Sequence, residues 1–142
     1  MSPTGTRGSV VVGIDGTRGA EAALDWATAE AAVRGCRLRI VHAFHPSLLV
    51  DPYGVAPPLG DSPLVWAGAE QVLAQAVARA RSVAPDLPVT PRLLPSTAVP
   101  ALLGEAHDAS VLVLGGRGPR GLRGRFSRSV SAQVAAHAPC PL

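Results

Sequence analysis

The chain has 142 residues, about the length of one domain and enough to bury an ordinary core. A composition of 47% hydrophobic and 16% charged residues argues against extended disorder, and no run approaches the roughly 20 apolar residues of a membrane helix. The net charge of +3 arises from 13 basic residues, all arginine, against 10 acidic ones; the arginines crowd between Arg117 and Arg128 and no acid follows Asp108, so the basic character is local.

Met1 to Gly8 reads as a tail without the apolar stretch of a signal peptide, preceding a single domain over 9–142. Ser9 to Ile14, SVVVGI, is predicted to be a strand buried on both faces, with Asp15, Gly16 and Thr17 at its carboxyl end. Ala20, Ala23, Leu24, Ala27 and Ala31 form one stripe of a helix from about Gly19 to Arg34, which Gly35 caps. Arg37 to Phe44 is the second strand. His45 to Pro63 holds five prolines and two glycines and is predicted to be a long irregular connection.

The second helix spans about Leu64 to Val83, with Ala69, Val72, Leu73, Ala76 and Ala80 on its apolar stripe, and Pro85 and Pro88 stop it. Val89 to Leu94 is the third strand; Pro91 cannot donate to a ladder, which puts this strand at a sheet edge. Pro100 suits the first turn of a short third helix ending near His107. Ser110 to Leu114 reads as a fourth strand and Val130 to Ala138 as a fourth helix.

Alternating strands and helices of these lengths predict a three-layer α/β/α fold around a parallel sheet with right-handed crossovers, Rossmann-like or flavodoxin-like in type. With the third strand at an edge, the sheet order is 3-2-1-4 and reverses between the first and fourth strands. Ligands of such sheets bind outside the carboxyl ends of the strands at that reversal. Ile14-Asp15-Gly16 and Leu114-Gly115-Gly116 are the two ends that meet there.

The segment after the fourth strand supplies the chemistry. Leu114 to Ser131 contains Gly115, Gly116, Gly118, Gly121 and Gly124 interleaved with Arg117, Arg120, Arg123, Arg125 and Arg128. A glycine-rich loop that runs from a strand to a helix start gathers amide donors and a helix dipole around one point, a geometry suited to phosphate. A Walker-type site is excluded by the missing lysine. Gly116 to Gly121 does fit GxGxxG, but it follows the last internal strand and no ribose-binding acid lies about 20 residues on, so a dinucleotide fold of the dehydrogenase kind is set aside.

Other sites are bland. Cys36 and Cys140 lack CxxC spacing and read as buried or idle thiols of a reducing cytosol. His42, His45, His107 and His137 have no metal-ligand spacing and read as packed or exposed histidines. Trp26 and Trp66 suit helix packing or an interface better than base stacking, and the few aromatics argue against a nucleic-acid partner.

The spacing Gly115, Gly118, then Arg128-Ser129 and Ser131 resembles the ATP-binding signature of the universal stress proteins, with Arg128 where the family has its third glycine. VVVGIDGTRGAEAALDWATAEAAVRGCRLRIVHAF looks like the opening of such a domain, DASVLVLGGRG like its fourth strand and turn, and SVSAQVAAHAPCP like its last helix. The resemblance implies a cytoplasmic stress-response or signalling module that binds ATP, with or without Mg²⁺. Ile14, Asp15 and Val41 would line the nucleoside pocket. Leu114, Gly115, Gly116, Arg117, Gly118, Arg128, Ser129, Val130 and Ser131 would complete the nucleotide site, the amides of Gly116 to Gly118 and the hydroxyls of Ser129 and Ser131 holding the phosphates.

Arg128 either adds a fork of donors to a phosphate or fills the space where backbone would approach it, and the sequence leaves both open. The first outcome keeps a nucleotide binder; the second makes a member that acts through protein association alone. No general base or Mg²⁺ carboxylate cluster is apparent, so a binder is expected over an enzyme, with at most slow ATP hydrolysis. Family members usually continue past the APCP segment into a final strand that often builds a homodimer. Here that fifth strand is expected to be missing, or the sequence to be truncated.

Overall fold

A computed structural model describes residues 8–16, 18–44, 63–115, 134–137 and 141. Strand β1, Ser9–Ile14, has no polar side chain after Ser9, and all six of its residues are buried. That is the pattern of a central parallel strand covered on both faces. Helix α1, Arg18–Arg34, buries Ala20, Ala23, Leu24, Ala27, Thr28 and Ala31. Thr28 satisfies its buried hydroxyl by donating to the Leu24 carbonyl at 2.7 Å.

Gly35, at φ 66°, ends α1 in the left-handed region that a side chain would resist. Its amide bonds the Ala32 carbonyl and the Cys36 amide bonds that of Ala31, a Schellman cap that tucks Cys36 into the core.

Strand β2, Arg37–Ala43, follows. The sequence run extends it to Phe44, whose amide does reach the Leu94 carbonyl at 3.0 Å and so marks the end of the ladder. Helix α2, Pro63–Val83, starts on a proline, a position where the missing amide would have had no helical partner. The connection predicted before it falls outside the described residues, as does most of the predicted fourth helix, of which 134–137 is helical.

Strand β3, Val89–Leu94, contains Pro91 and lies at the edge. Helix α3, Ala98–Glu105, continues as a 3₁₀ turn, Ala106–Asp108, directly into β4, Ala109–Leu114. The described sheet is four-stranded, in the order β3-β2-β1-β4 that Pro91 implied, and every pair is parallel. Outside β4, the Leu112 amide donates to the Pro141 carbonyl at 2.8 Å, so the sheet's outer hydrogen-bonding row is occupied at that point.

Two apolar clusters make this an α/β/α sandwich. Val10, Val12, Ile14, Leu38, Ile40 and Val111 face α1 and α2. Val11, Val41 and Leu112 face Leu102, Ala106 and Val134 on the other side. Ion pairs lie at the margins. Arg39 holds Asp108 through two bonds of 2.8 and 2.9 Å, while Arg92 reaches Glu105.

Candidate functional site

Gly13 pairs with Leu114, so Asp15-Gly16 and Gly115 leave the sheet side by side where the strand order reverses. Gly16 adopts φ 83° and turns the chain into α1. Gly115 is buried against the start of that helix: a Cβ there would meet the Gly19 carbonyl oxygen at 2.7 Å and the Ala20 nitrogen at 3.0 Å. Only a glycine lets the β4 turn rest on the first turn of α1, where free amides and the helix dipole favour negative charge.

The described candidate residues divide by strand parity. Ile14 pairs with His42, and Gly13 with Val41. Ile14, 3% exposed, therefore packs in the cluster under α1 and α2, whereas Val41, fully buried, packs in the cluster under α3. Leu114 joins the Val41 side as a partly buried neighbour. Asp15 is half-buried at the end of β1. Gly116, Arg117, Gly118, Arg128, Ser129, Val130 and Ser131 lie outside the described residues.

Behind the β1 terminus stands His42, 4% exposed, with Nδ1 at 3.1 Å from the Ile14 carbonyl oxygen. A carbonyl only accepts, so Nδ1 carries the proton. Phe44 stacks on the imidazole with centroids 6.4 Å apart, and Trp66, in the first turns of α2, meets Phe44 edge-on at 4.8 Å. The sequence classed His42 only as packed or exposed. Its parity with Ile14 was the available signal.

A small cavity of about 80 Å³ opens beside this turn, between Ile14, Gly16, Leu24, Val72, Ala76 and Arg79. Its size suits a few waters and falls well short of a nucleotide. At its rim Arg79 grips Asp25 with two bonds of 2.8 Å and touches Glu21 at 3.3 Å. The guanidinium, chiefly through its hydrogen bond, holds the Asp25 carboxyl below its usual range. Among the described residues no three His, Cys, Asp or Glu side chains cluster to hold a metal ion, and no helix is long and apolar enough to cross a membrane.

Comparison with known proteins agrees with this architecture. Universal stress protein Rv2005c of Mycobacterium tuberculosis is 33% identical over 147 aligned positions, which take in 100% of this chain and 49% of that protein. The chain thus spans about half the length of the curated relatives it matches. A universal stress protein crystallised with cAMP superposes with a TM-score of 0.69 at 27% identity, over 94% of this chain and 92% of that one. A universal stress protein from Archaeoglobus fulgidus in complex with dAMP, 24% identical, shares the fold with a TM-score of 0.64 over 94% and 93% of the two chains. The model of the universal stress protein family matches residues 6–142, and with strand order, turn geometry and sequence in agreement, the chain belongs to that family.

Proposed function

We propose that this domain binds an adenine nucleotide, ATP in particular, in the cleft between β1 and β4, and that it serves as a cytoplasmic stress-response or signalling module. The observation that carries the reading is the contact of Gly115 with Gly19 and Ala20 at the point where the strand order reverses. It brings Gly115, with which the glycine-rich segment opens, to the amino end of α1, near the end of β1 that carries Asp15. The cAMP bound by one relative and the dAMP bound by the fold neighbour support an adenine nucleotide as the guest.

The residues fit such a guest. Asp15 would hold the nucleoside, with Val41 giving apolar support from one face of the sheet, while Ile14, on the opposite face, packs under α1 and α2. The amides of Gly116 to Gly118 and the hydroxyls of Ser129 and Ser131 would hold phosphates, and Mg²⁺ would enter with the triphosphate. Five arginines between Arg117 and Arg128 supply the counter-charge. The role is binding, with hydrolysis at most slow.

A second reading has its own observation. Arg128 stands at the motif's third glycine, and a side chain that blocks the phosphate would leave a member that works by protein association. Calorimetric titration with ATP, ADP and AMP, with Gly118→Ala and Arg128→Gly in parallel, separates the two. Micromolar ATP binding that weakens in Gly118→Ala supports the cleft. No binding in the parent but recovery in Arg128→Gly transfers the function to association.

A further inference from the structure

We propose that the outward face of α1 is a self-association surface, covered by α1 of a second copy of this chain packed antiparallel about a two-fold axis between Trp26 and Ala29. Neither the cleft nor a bound nucleotide enters into it.

Helix α1 buries Ala20, Ala23, Leu24, Ala27, Thr28 and Ala31, and a helix with one buried face normally turns polar and charged groups to water on the other. This one does not. Ala22, Trp26, Ala29 and Val33 run down the opposite side and all four are exposed, Trp26 by 53% and Val33 by 85%. Charges stand on the flanks and are paired there, Glu21 and Asp25 with Arg79 of α2, and Glu30 with Arg34. An apolar stripe with a polar rim is the anatomy of an interface.

The order of side chains along the stripe selects the occupant. Its steps of four, three and four residues make the a and d seam of a coiled coil, with Trp26 and Val33 at a and Ala22 and Ala29 at d. In a parallel pair each residue meets its own copy, so two indoles would collide beside a gap between two alanines. In an antiparallel pair each a position shares a layer with a d position. Trp26 then packs on Ala29 of the second copy, and Val33 on its Ala22. Both layers join a large side chain to a small one, and the two-fold axis repeats each of them.

Charge agrees with shape. In this register Asp25 falls opposite Ala32 of the second copy and Glu30 opposite its Ala23, so no like charges meet directly. Arg18, at the exposed start of α1, lies toward the carbonyl end of the other helix, where a cation is favourable. Area sets the strength. The 17-residue helix is about 25 Å long, and a seam of that length supplies roughly half of the about 800 Å² per partner found in stable complexes. The dimer is therefore weak, with a Kd of about 10–100 μM.

Sedimentation equilibrium of the purified chain from about 5 to 500 μM tests this, with Trp26→Ala, Ala29→Trp and the exchange Trp26→Ala/Ala29→Trp run beside it, each with a thermal melt. Both positions are exposed, so the melts should stay close to the parent's. The expected result is a monomer–dimer equilibrium in the parent, weakened at least about tenfold in either single variant and restored to within about threefold in the exchange, which rebuilds the layer with its members reversed. A parent that stays monomeric throughout overturns the proposal. So does a dimer that Trp26→Ala leaves unchanged, since the contact would then lie on another face. Single variants that dissociate without rescue by the exchange overturn the antiparallel pairing and the proposal with it.

Discussion

Gly115 lies so close to Gly19 that a single added methyl group would come within 2.7 Å of the Gly19 carbonyl oxygen. The obstruction is backbone at the start of a helix packed into the main core, so it cannot rotate away as a side chain would. Gly115→Ala is expected to destabilise the domain by about 2 kcal/mol as the β4 turn is forced off α1. Chemical denaturation measures this. A loss below a few tenths of a kcal/mol would mean that the turn shifts freely.

Gly68 presents the opposite case. It sits inside α2, its φ is ordinary, and a Cβ there meets nothing within 4 Å. Gly68→Ala removes backbone freedom from the unfolded chain without a steric cost in the folded one, and stability is expected to rise by about 0.5–1 kcal/mol. The denaturation midpoint should move up with an unchanged slope.

The cluster under α3 depends on few large side chains. Leu102 is fully buried there between α3 and the sheet, and Leu102→Ala is expected to cost about 3 kcal/mol through lost burial and the cavity it leaves. Leu64, 84% exposed at the start of α2, is the control. Leu64→Ala should change stability by less than about 0.5 kcal/mol.

Acid should weaken the fold through identifiable carboxylates. Arg39 holds the Asp108 carboxyl below its usual range, chiefly through their hydrogen bonds. A carboxylate with a depressed folded pKa stabilises above its unfolded pKa of about 4, and that contribution is lost as pH falls through the folded value. Asp108 is largely solvent-exposed, which limits the effect to under about 1 kcal/mol. Melting temperatures should fall less steeply between pH 6 and pH 2 in Asp108→Asn than in the parent.

Most of the fold was legible because it depends on periodicity and on prolines. Pro91 excluded β3 from the sheet interior, and from that one placement the order 3-2-1-4 and the reversal at β1 and β4 followed. Ile14 and Val41 show what composition could not supply. Both are apolar strand residues near one sheet end, yet their opposite faces appear only once the register pairs Val41 with Gly13. The closeness of Gly115 to Gly19 was likewise invisible, since it joins residues that no local pattern connects. Trp26, assigned to packing or an interface, is 53% exposed on α1, while Trp66 packs on Phe44.

The prolines at the two rims of the sheet also govern how it meets other chains. In β3 the Pro88 and Leu94 carbonyls point at β2, so by alternation the nitrogen of Pro91 points outward, where a proline has no hydrogen to offer. At the other rim the outward Leu112 amide is already taken by the carbonyl of Pro141. An invading strand would thus find a missing donor on one side and an occupied one on the other, a protection against edge-to-edge aggregation. Replacing Pro91 with valine would leave the core untouched while making the protein more prone to form fibrils.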